Sequence, residues 1–229
     1  MMNMYAFICT RSKELSHTTE KLVSYLSRAN IHVKLLVNQS SIFEGYKKAF
    51  TLVKPKPSDI IILCHDDIEI QIAPALFIAI LSTLQNKKFG FLGPAGTTKL
   101  SDSGVWWDHN LWKEGFHRGE VVHLTGEGKS DFTRYGPFEQ VAVLDGLFLA
   151  ARAEVLEEIG LEKPTMFTGE WDFYDIYYTD CAAKLGYENH AAPIKMIHNS
   201  RGELVGRDSW HKNREAFIKE NKERFPITC

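Results

Sequence analysis

The sequence predicts a single α/β domain with a mainly parallel central sheet flanked by helices. Short apolar runs of strand length alternate, between Tyr5 and Leu92, with longer segments whose apolar residues recur at helical spacing. The 229 residues are 44% hydrophobic and 24% charged, which is typical of a chain with a packed core. Neither an internal repeat nor a linker-like segment divides the chain, so one domain over residues 1–229 is expected.

Strands and helices alternate over residues 1–95, as expected for parallel strands joined by right-handed crossovers. Ser41 and Glu44 have the spacing of a capping box before the second helix, and Pro74 suits the first turn of the third. The run that ends at Cys64 is continuously apolar, as in a strand covered on both faces. The predicted strands are Tyr5–Cys9, Ile31–Val37, Asp59–Cys64 and Phe89–Leu92, and the predicted helices are Leu15–Ala29, Ile42–Val53 and Pro74–Leu84.

Polar side chains follow three of these strands, at the point where each strand ends. They are Thr10, Arg11, Asn38, His65, Asp66 and Asp67. In parallel α/β sheets, ligands bind beyond the carboxyl ends of the strands. The sequence therefore predicts a binding site at this edge of the sheet.

Regular patterning fades in a stretch rich in Gly, Trp and His and returns near Gln140. The sequence therefore predicts an irregular insertion over residues 96–138, which is long enough to act as a lid. Beyond it, the predicted strands are Gln140–Leu144, Leu147–Ala151 and Ala192–His198, and the predicted helices are Ala153–Ile159, Asp172–Leu185 and Trp210–Arg224.

The charge balance and the cysteines argue against several classes of protein. With 27 basic and 29 acidic residues the net charge is −2, which argues against a nucleic-acid partner. The four cysteines are scattered without a CxxC pair, as expected of reduced thiols in a cytoplasmic protein. The most apolar run, Ile72–Leu84, is shorter than the roughly 20 residues that span a bilayer, so no transmembrane segment is expected. That run suits either the core or a subunit interface, which leaves a homo-oligomer open.

Seven motifs follow one another over about residues 5–201. They are Ile8–Arg11, Ser41–Ala49, Ile62–Ile68, Gly104–Asp108, Val143–Ala150, Phe173–Ile176 and Ile197–His198. In order and content they resemble the family 2 glycosyltransferases with the GT-A (Rossmann-like) fold, and among them the StrF-like glycosyltransferases.

The resemblance implies a mixed, mainly parallel sheet with a nucleotide-sugar-binding half over residues 1–95 and an acceptor-side half, with a C-terminal helix, over residues 139–229. It implies metal-assisted and inverting transfer of a sugar from a nucleotide-sugar donor. The acceptor is implied to be a glycan, a lipid-linked sugar or a small molecule, as in polysaccharide biosynthesis.

The resemblance assigns metal and donor roles to the strand ends. His65-Asp66-Asp67 occupies the place of the family's DxD motif, with His65 where the family has Asp. Asp67 and His198 are implied as ligands of Mn²⁺ or Mg²⁺, since hard cations prefer carboxylate oxygens and Mn²⁺ also accepts imidazole. The residues implied in nucleotide-sugar binding are Thr10, Arg11, Asn38, His65, Asp66 and Arg201, with the metal left open as an alternative partner of Asp66.

Simpler structural roles remain open for these residues. Asp66 and Asp67 also suit a solvated turn in which Asp caps the next helix. Asn38 stands where the family more commonly has Asp, and it suits the capping of a strand end. A lone histidine after a strand, such as His198, is often a hydrogen-bonded structural residue, and Arg201 suits a solvated loop.

Asp175 is implied as the general base that deprotonates the acceptor hydroxyl. The family usually has an acidic pair at this helix start, whereas Tyr174 precedes Asp175 here. Helix capping explains the same residues equally well, with Asp172 as N-cap and Asp175 in the first turn, and burial of neither is required.

Acceptor contacts are expected from the insertion and the strand that follows it. Aromatic faces stack on sugar rings, so Trp106 and Trp107 are interpreted as an exposed acceptor platform. Asp145 and Gly146 are expected near the acceptor hydroxyls, with Gly146 permitting close backbone approach. The alternative for the tryptophans is a satellite hydrophobic cluster under a long loop.

Three functions are therefore weighed. The first is a metal-dependent glycosyltransferase. The second is a catalytically degenerate protein that binds a nucleotide sugar, which the departures at His65 and Tyr174 favour. The third is a metal hydrolase that uses His65, Asp66, Asp67 and His198, although no HExxH-type spacing supports it.

Overall fold

The computed structural model describes residues 2–125, 129–199 and 208–229, with a seven-stranded mixed sheet at its centre. In chain order the strands are β1 (Met4–Thr10), β2 (His32–Val37), β3 (Ile60–Cys64), β4 (Ile68–Ile70), β5 (Phe89–Gly93), β6 (Ala95–Thr97), β7 (Lys99–Leu100), β8 (His117–Thr125), β9 (Lys129–Gly136), β10 (Gln140–Val141), β11 (Val143–Leu144), β12 (Phe148–Arg152), β13 (Glu188–Ala191), β14 (Met196–His198) and β15 (Ile227–Thr228). The α-helices are α1 (His17–Arg28), α2 (Ile42–Val53), α3 (Pro74–Ser82), α4 (His109–Lys113), α5 (Ala153–Ile159), α6 (Tyr174–Lys184) and α7 (Asp208–Glu220).

The central sheet confirms the predicted fold class. Its strand order is β10-β13-β5-β12-β3-β1-β2, and β12 and β10 run opposite to the rest. β1 pairs in parallel with both β2 and β3, so the carboxyl ends of these strands meet at one edge, as predicted. The N-terminus of α2 is also as predicted, because the Ser41 side chain accepts a hydrogen bond from the Glu44 backbone N–H.

β3 is buried along its whole length, as predicted for a central strand. Its residues Ile60–Cys64 are each at most 1% exposed. Burying one isoleucine side chain of this kind contributes about 2 kcal/mol to stability. The strand therefore gives a rigid support to the polar residues that begin at His65.

β12 lies between β3 and β5, a placement that the order of the sequence does not reveal. It pairs antiparallel with both neighbours, with Phe148 opposite Cys64 and Ala150 opposite Leu92. The turn that precedes β12, at Asp145 and Gly146, is thereby brought beside the end of β3. The His65 backbone N–H donates to the carbonyl of Leu147 in this region, at 3.1 Å.

The prediction of irregular structure over residues 96–138 is wrong for most of that stretch. β8 and β9 form a long antiparallel pair there, and the short strands β6 and β7 and helix α4 precede them. The alternation of a half-buried strand is present in β8, but its inward positions include His117 and Gly119 beside Val121. Because His117 and Gly119 are not typical apolar strand residues, the alternation of apolar and polar residues that indicates a strand is not visible in the sequence.

A second sheet connects this segment to the strand ends of the first. Its order is β11-β6-β8-β14-β4, and β9 pairs with β8. β4 begins at Ile68, directly after Asp67, and β14 lies between β4 and β8 with His198 opposite His123. The predicted strand Ala192–His198 is thus shortened to β14, and its last residue is held next to Asp67. None of the helices in the described ranges has the length and apolarity to cross a membrane.

Candidate active site

A cavity of about 350 Å³ lies where the end of β3, the turn before β12 and the start of α6 meet. Three kinds of side chain line it. The imidazoles are those of His65, His123 and His198, the carboxylates are those of Asp145, Asp172 and Asp175, and the indoles are those of Trp106, Trp107, Trp171 and Trp210. Residues predicted separately as metal ligands, general base and acceptor platform therefore share one cavity.

One side of this cavity has the donor atoms of a cation site. His65, Asp67 and His198 each offer one ligand atom, and these atoms all lie within 4.8 Å of one another. Asp67 Oδ1 is 3.4 Å from His198 Nε2 and 3.8 Å from His65 Nδ1. This oxygen is buried and makes no hydrogen bond of ordinary geometry with the described residues. An unsatisfied buried carboxylate oxygen faced by two imidazoles fits a divalent cation.

The charges of this cluster are coupled. Burial acts to raise the pKa of Asp67, but the neighbouring His198 outweighs it and holds that pKa below its ordinary value. Burial acts to lower the pKa of His198, and the Asp67 carboxylate raises it above the ordinary value. The pKa of His65 is lowered, mainly by burial and then by His198. The carboxylate is thus kept ionised, as a metal ligand must be, and a cation bound here would displace the proton that the same pairing favours on His198.

Asp66 does not belong to this cluster and is absent from the cavity lining. Its backbone carbonyl accepts a hydrogen bond from the Thr19 hydroxyl at 3.0 Å. Burial, together with the charge of Asp66, raises the pKa of the Cys9 thiol to about 12, which places Asp66 near the end of β1. The alternative in which Asp66 or Asp67 caps the next helix is wrong, because β4 follows and α3 has Ala73 at its N-cap.

The predicted nucleotide-binding residues of β1 and β2 lie at the same sheet edge but outside the cavity lining. Thr10 is buried, and its carbonyl accepts a hydrogen bond from the Asn38 backbone N–H at 3.0 Å. Asn38 is exposed with φ 50°, a left-handed conformation that asparagine tolerates. Arg11 is also exposed. Their role in donor binding stays a prediction, and Arg201 lies outside the described residues.

Asp175 lines the same cavity from the first turn of α6. Its Oδ2 accepts a hydrogen bond from the Gly146 backbone N–H at 2.9 Å. Burial, and then the charge of Asp145, raise the pKa of Asp175 to about 7. A carboxylate with this pKa is a strong base that still loses its proton near neutral pH.

Gly146 allows the turn before β12 to approach α6 closely, whereas the expected approach of this turn to the acceptor hydroxyls stays a prediction. A Cβ at this position would lie 2.7 Å from Tyr174 Oη and 2.9 Å from Asp175 Cβ. Both distances are shorter than carbon atoms tolerate without displacement. Asp145 stabilises the same turn, since its Oδ1 accepts a hydrogen bond from the Leu147 N–H at 2.9 Å.

The start of α6 differs from the capping prediction. The N-cap is Phe173, with φ 69° and without a side-chain hydrogen bond, and the helix begins at Tyr174. Asp172 is not the cap. It is 5% exposed and accepts a hydrogen bond from the Ser209 hydroxyl of α7 at 2.5 Å. Asp175 does lie in the first turn, so the macrodipole of α6 also favours its charged form.

The tryptophan platform is larger than predicted, and one of its members is buried. Trp106 is only 2% exposed and packs edge-on against Trp107, whereas Trp107 itself is 39% exposed. Trp171, which is 40% exposed, and Trp210 also line the cavity, and the sequence interpretation assigned no role to either. The sequence does contain one signal for a role of Trp171, since this residue stands just before the motif that begins at Phe173.

The segment that carries Trp171 is held by α7. Asn213 is fully buried, and its Oδ1 accepts hydrogen bonds from the backbone N–H groups of Thr168 and Gly169. Its Nδ2 donates to the carbonyl of Asp172 at 3.0 Å. These bonds fix the backbone on both sides of Trp171, so this indole has a defined position at the cavity.

Solved structures with similar folds were found for this chain. The crystal structure of GalNAc-T7 with UDP, GalNAc and Mn²⁺ matches with a TM-score of 0.56 and 12% identity, over 96% of this chain and 48% of that chain. This chain thus spans about half the length of that neighbour. The crystal structure of A197 from STIV matches with a TM-score of 0.45 and 13% identity, over 87% of this chain and 83% of that chain. No curated protein matches the chain.

The family match is the more extensive finding. A family model described as "Glycosyltransferase like family" matches residues 7–221, which is nearly the whole chain. The matched range includes every described residue of the cavity. With the mixed sheet and the structural match to a GT-A glycosyltransferase, it identifies the fold as GT-A. The chain belongs to the glycosyltransferase-like family.

Proposed function

We propose that this protein transfers a sugar from a nucleotide-sugar donor to a hydroxyl of a glycan, lipid-linked or small-molecule acceptor, with a divalent metal and with inversion. One observation carries the proposal. The same cavity contains the two imidazoles of the cation cluster and a carboxylate, Asp175, whose pKa is about 7. The free thiols of the four cysteines support a cytoplasmic location, which we also propose.

The cation cluster forms the donor end of the cavity in this proposal. Asp67, His198 and His65 would hold Mn²⁺ or Mg²⁺, and the bound cation neutralises negative charge on the departing diphosphate. Two imidazoles with one carboxylate favour Mn²⁺ over Mg²⁺. The presence of Mn²⁺ and UDP in the GalNAc-T7 structure supports this reading. Thr10, Arg11, Asn38, Asp66 and Arg201 are proposed to bind the nucleotide, on the basis of their order along the chain.

Asp175 acts at the acceptor end. The acceptor oxygen forms a bond to the anomeric carbon while the bond from that carbon to the diphosphate oxygen breaks. The hydroxyl proton passes to Asp175, which the Gly146 N–H holds in place through Oδ2. The tryptophan wall at Trp107 and Trp171 offers apolar faces for a sugar ring and excludes water from the reacting atoms.

The test incubates the protein with a panel of nucleotide sugars, Mn²⁺ and acceptor mixtures. Nucleoside diphosphate release and glycosylated product are measured together, and donor binding is followed by calorimetry. We expect Asp175→Asn to lower transfer by about 100-fold or more with donor affinity retained, as loss of a general base does. Asp102→Asn is the matched control, because Asp102 is exposed and lies outside the cavity lining.

Two results would reject the proposal. Donor binding without diphosphate release, with every acceptor mixture, would identify a degenerate binding protein. Release of nucleoside monophosphate would identify a hydrolase acting on the diphosphate.

A further inference from the structure

Two of the positions at which the chain departs from the resembled family pattern contact each other. His65 stands in the strand-end motif and Tyr174 stands before Asp175, 109 residues later. In the fold, His65 Nε2 and the Tyr174 hydroxyl oxygen are 3.2 Å apart. The proposed function gives no role to Tyr174, although its ring is 4% exposed and its hydroxyl lies beside the cation cluster.

The direction of this hydrogen bond follows from the other partner of Tyr174. The Tyr174 hydroxyl donates to the carbonyl oxygen of Gly146 at 2.6 Å. A carbonyl oxygen has no proton to give, so the only hydroxyl proton of Tyr174 is used there. A tyrosine hydroxyl ordinarily loses its proton only at about pH 10, so at neutral pH this hydroxyl keeps it. The Tyr174 oxygen therefore faces His65 with a lone pair, and His65 Nε2–H is the donor.

This direction fixes the tautomer of the neutral His65 ring. With the proton on Nε2, the opposite nitrogen, Nδ1, has a free lone pair. Nδ1 is 3.8 Å from Asp67 Oδ1, an oxygen that lies 3.4 Å from His198 Nε2 and makes no hydrogen bond of ordinary geometry with the described residues. Two electron-pair donors that face each other repel, unless a cation lies between them. Histidines that ligate metals usually donate their other N–H to an oxygen in this way.

We propose that Tyr174 is a positioning residue of the cation site, which selects the Nε2–H tautomer of His65 and so makes His65 Nδ1 a third ligand beside Asp67 and His198. This rests on the proposed function only in placing a divalent cation at the site. His65, which the resemblance implies in nucleotide-sugar binding, is thereby a metal ligand, as in the proposed function. Gly146 joins both ends of the cavity, since its carbonyl holds Tyr174 and its N–H holds Asp175.

The test compares Tyr174→Phe with the wild-type protein in the absence of donor. The substitution removes only the hydroxyl and keeps the ring packed against Phe43 and Tyr46. In the metal-free protein, ¹⁵N chemical shifts of His65 should show the Nε2–H tautomer, and Tyr174→Phe should shift the signals toward a mixture of tautomers. Calorimetric affinity for Mn²⁺ should fall by about 10-fold to 100-fold, as loss of such a partner usually causes.

Tyr178→Phe is the matched control. Tyr178 is a buried tyrosine of the same helix, and its hydroxyl donates to the Leu161 carbonyl at 3.0 Å, away from His65. The Tyr178→Phe variant loses a comparable buried hydrogen bond and should keep the Mn²⁺ affinity of the wild type. A second comparison uses His65→Ala, in which adding Tyr174→Phe should cause no further loss of affinity, since Tyr174 acts through His65.

Unchanged Mn²⁺ affinity in Tyr174→Phe, an Nδ1–H tautomer in the wild type, or an equal loss of affinity in the His65→Ala background would each overturn the inference. Failure of Mn²⁺ to bind the wild type would overturn it as well. Because these measurements need neither donor nor acceptor, they separate this inference from the proposed function. Mn²⁺ binding with the expected tautomer but without sugar transfer would support the inference and reject the transferase.

Discussion

The cation end and the base end of the site are each built around a partly buried carboxylate, Asp67 and Asp175, and the pKa values of these two groups are shifted in opposite directions. Burial acts to raise both pKa values. At Asp67 the imidazole of His198 overcomes burial and lowers the pKa, whereas at Asp175 the negative charge of Asp145 adds to burial and raises the pKa to about 7. Because their neighbours differ, Asp67 is suited to hold a cation and Asp175 is suited to accept a proton, although both side chains are aspartates.

The largest effect is expected at the cation end. Asp67→Asn removes the only carboxylate of the described cluster, so we expect Mn²⁺ affinity to fall by at least about 100-fold. Asp66→Asn is the matched control, because Asp66 is adjacent in sequence but does not belong to the cluster. Calorimetric titration of both variants with Mn²⁺ alone is the measurement. Equal affinities in the two variants would show that the cation does not bind at Asp67.

A smaller effect, about tenfold, is expected in the pH dependence at the base end. Asp175 must lose its proton before it can accept one, so kcat/KM should rise with pH through about 7 and should be roughly one tenth of its plateau at pH 6. Asp145→Asn removes a charge that raises the pKa of Asp175, so the midpoint should move to lower pH. Asp172→Asn, which also changes a cavity carboxylate, should leave the midpoint in place. If Asp145→Asn leaves the midpoint unchanged, the pH dependence does not arise from Asp175.

The smallest effect is expected at Trp107 and Trp171, the exposed tryptophans of the cavity lining. Trp107→Ala and Trp171→Ala should each raise the KM for the acceptor about fivefold, since an aromatic contact contributes about 1 kcal/mol. Trp112→Ala is the control, because Trp112 is 43% exposed but lies outside the cavity lining. Steady-state kinetics with varied acceptor is the measurement. Similar KM values in all three variants would mean that the acceptor does not stack here.

The sequence predicts the cation end better than the base end, for a physical reason. The apolar run of β3 and the parallel pairing of β1–β3 place His65 and Asp67 at a strand end from local patterns alone. The pKa of Asp175 depends on Asp145, which is 30 residues away, and on a turn that approaches α6 only because Gly146 has no side chain. Contacts of this kind leave no periodic signal in the chain.

The same reasoning explains why the tryptophan wall was only partly predicted. Trp106 and Trp107 are neighbours in sequence and were predicted together, yet the fold buries the first and exposes the second. Trp171 reaches the cavity because Asn213 of α7, 42 residues later in the chain, holds its backbone segment. A long-range hydrogen bond decides its position, and residue type alone does not reveal it.

The placement of β12 has a consequence for how the protein reaches this fold. β5 meets β3 only through β12, so residues 1–95 leave a gap in the sheet that the later strand has to fill. The pairing of Phe148 with Cys64 closes a long loop, and such contacts form slowly because chain entropy opposes them. The two halves of the chain therefore do not fold independently. The pairing of β12 with β3 also places the turn at Asp145 and Gly146, and with it Asp175, beside the end of β3.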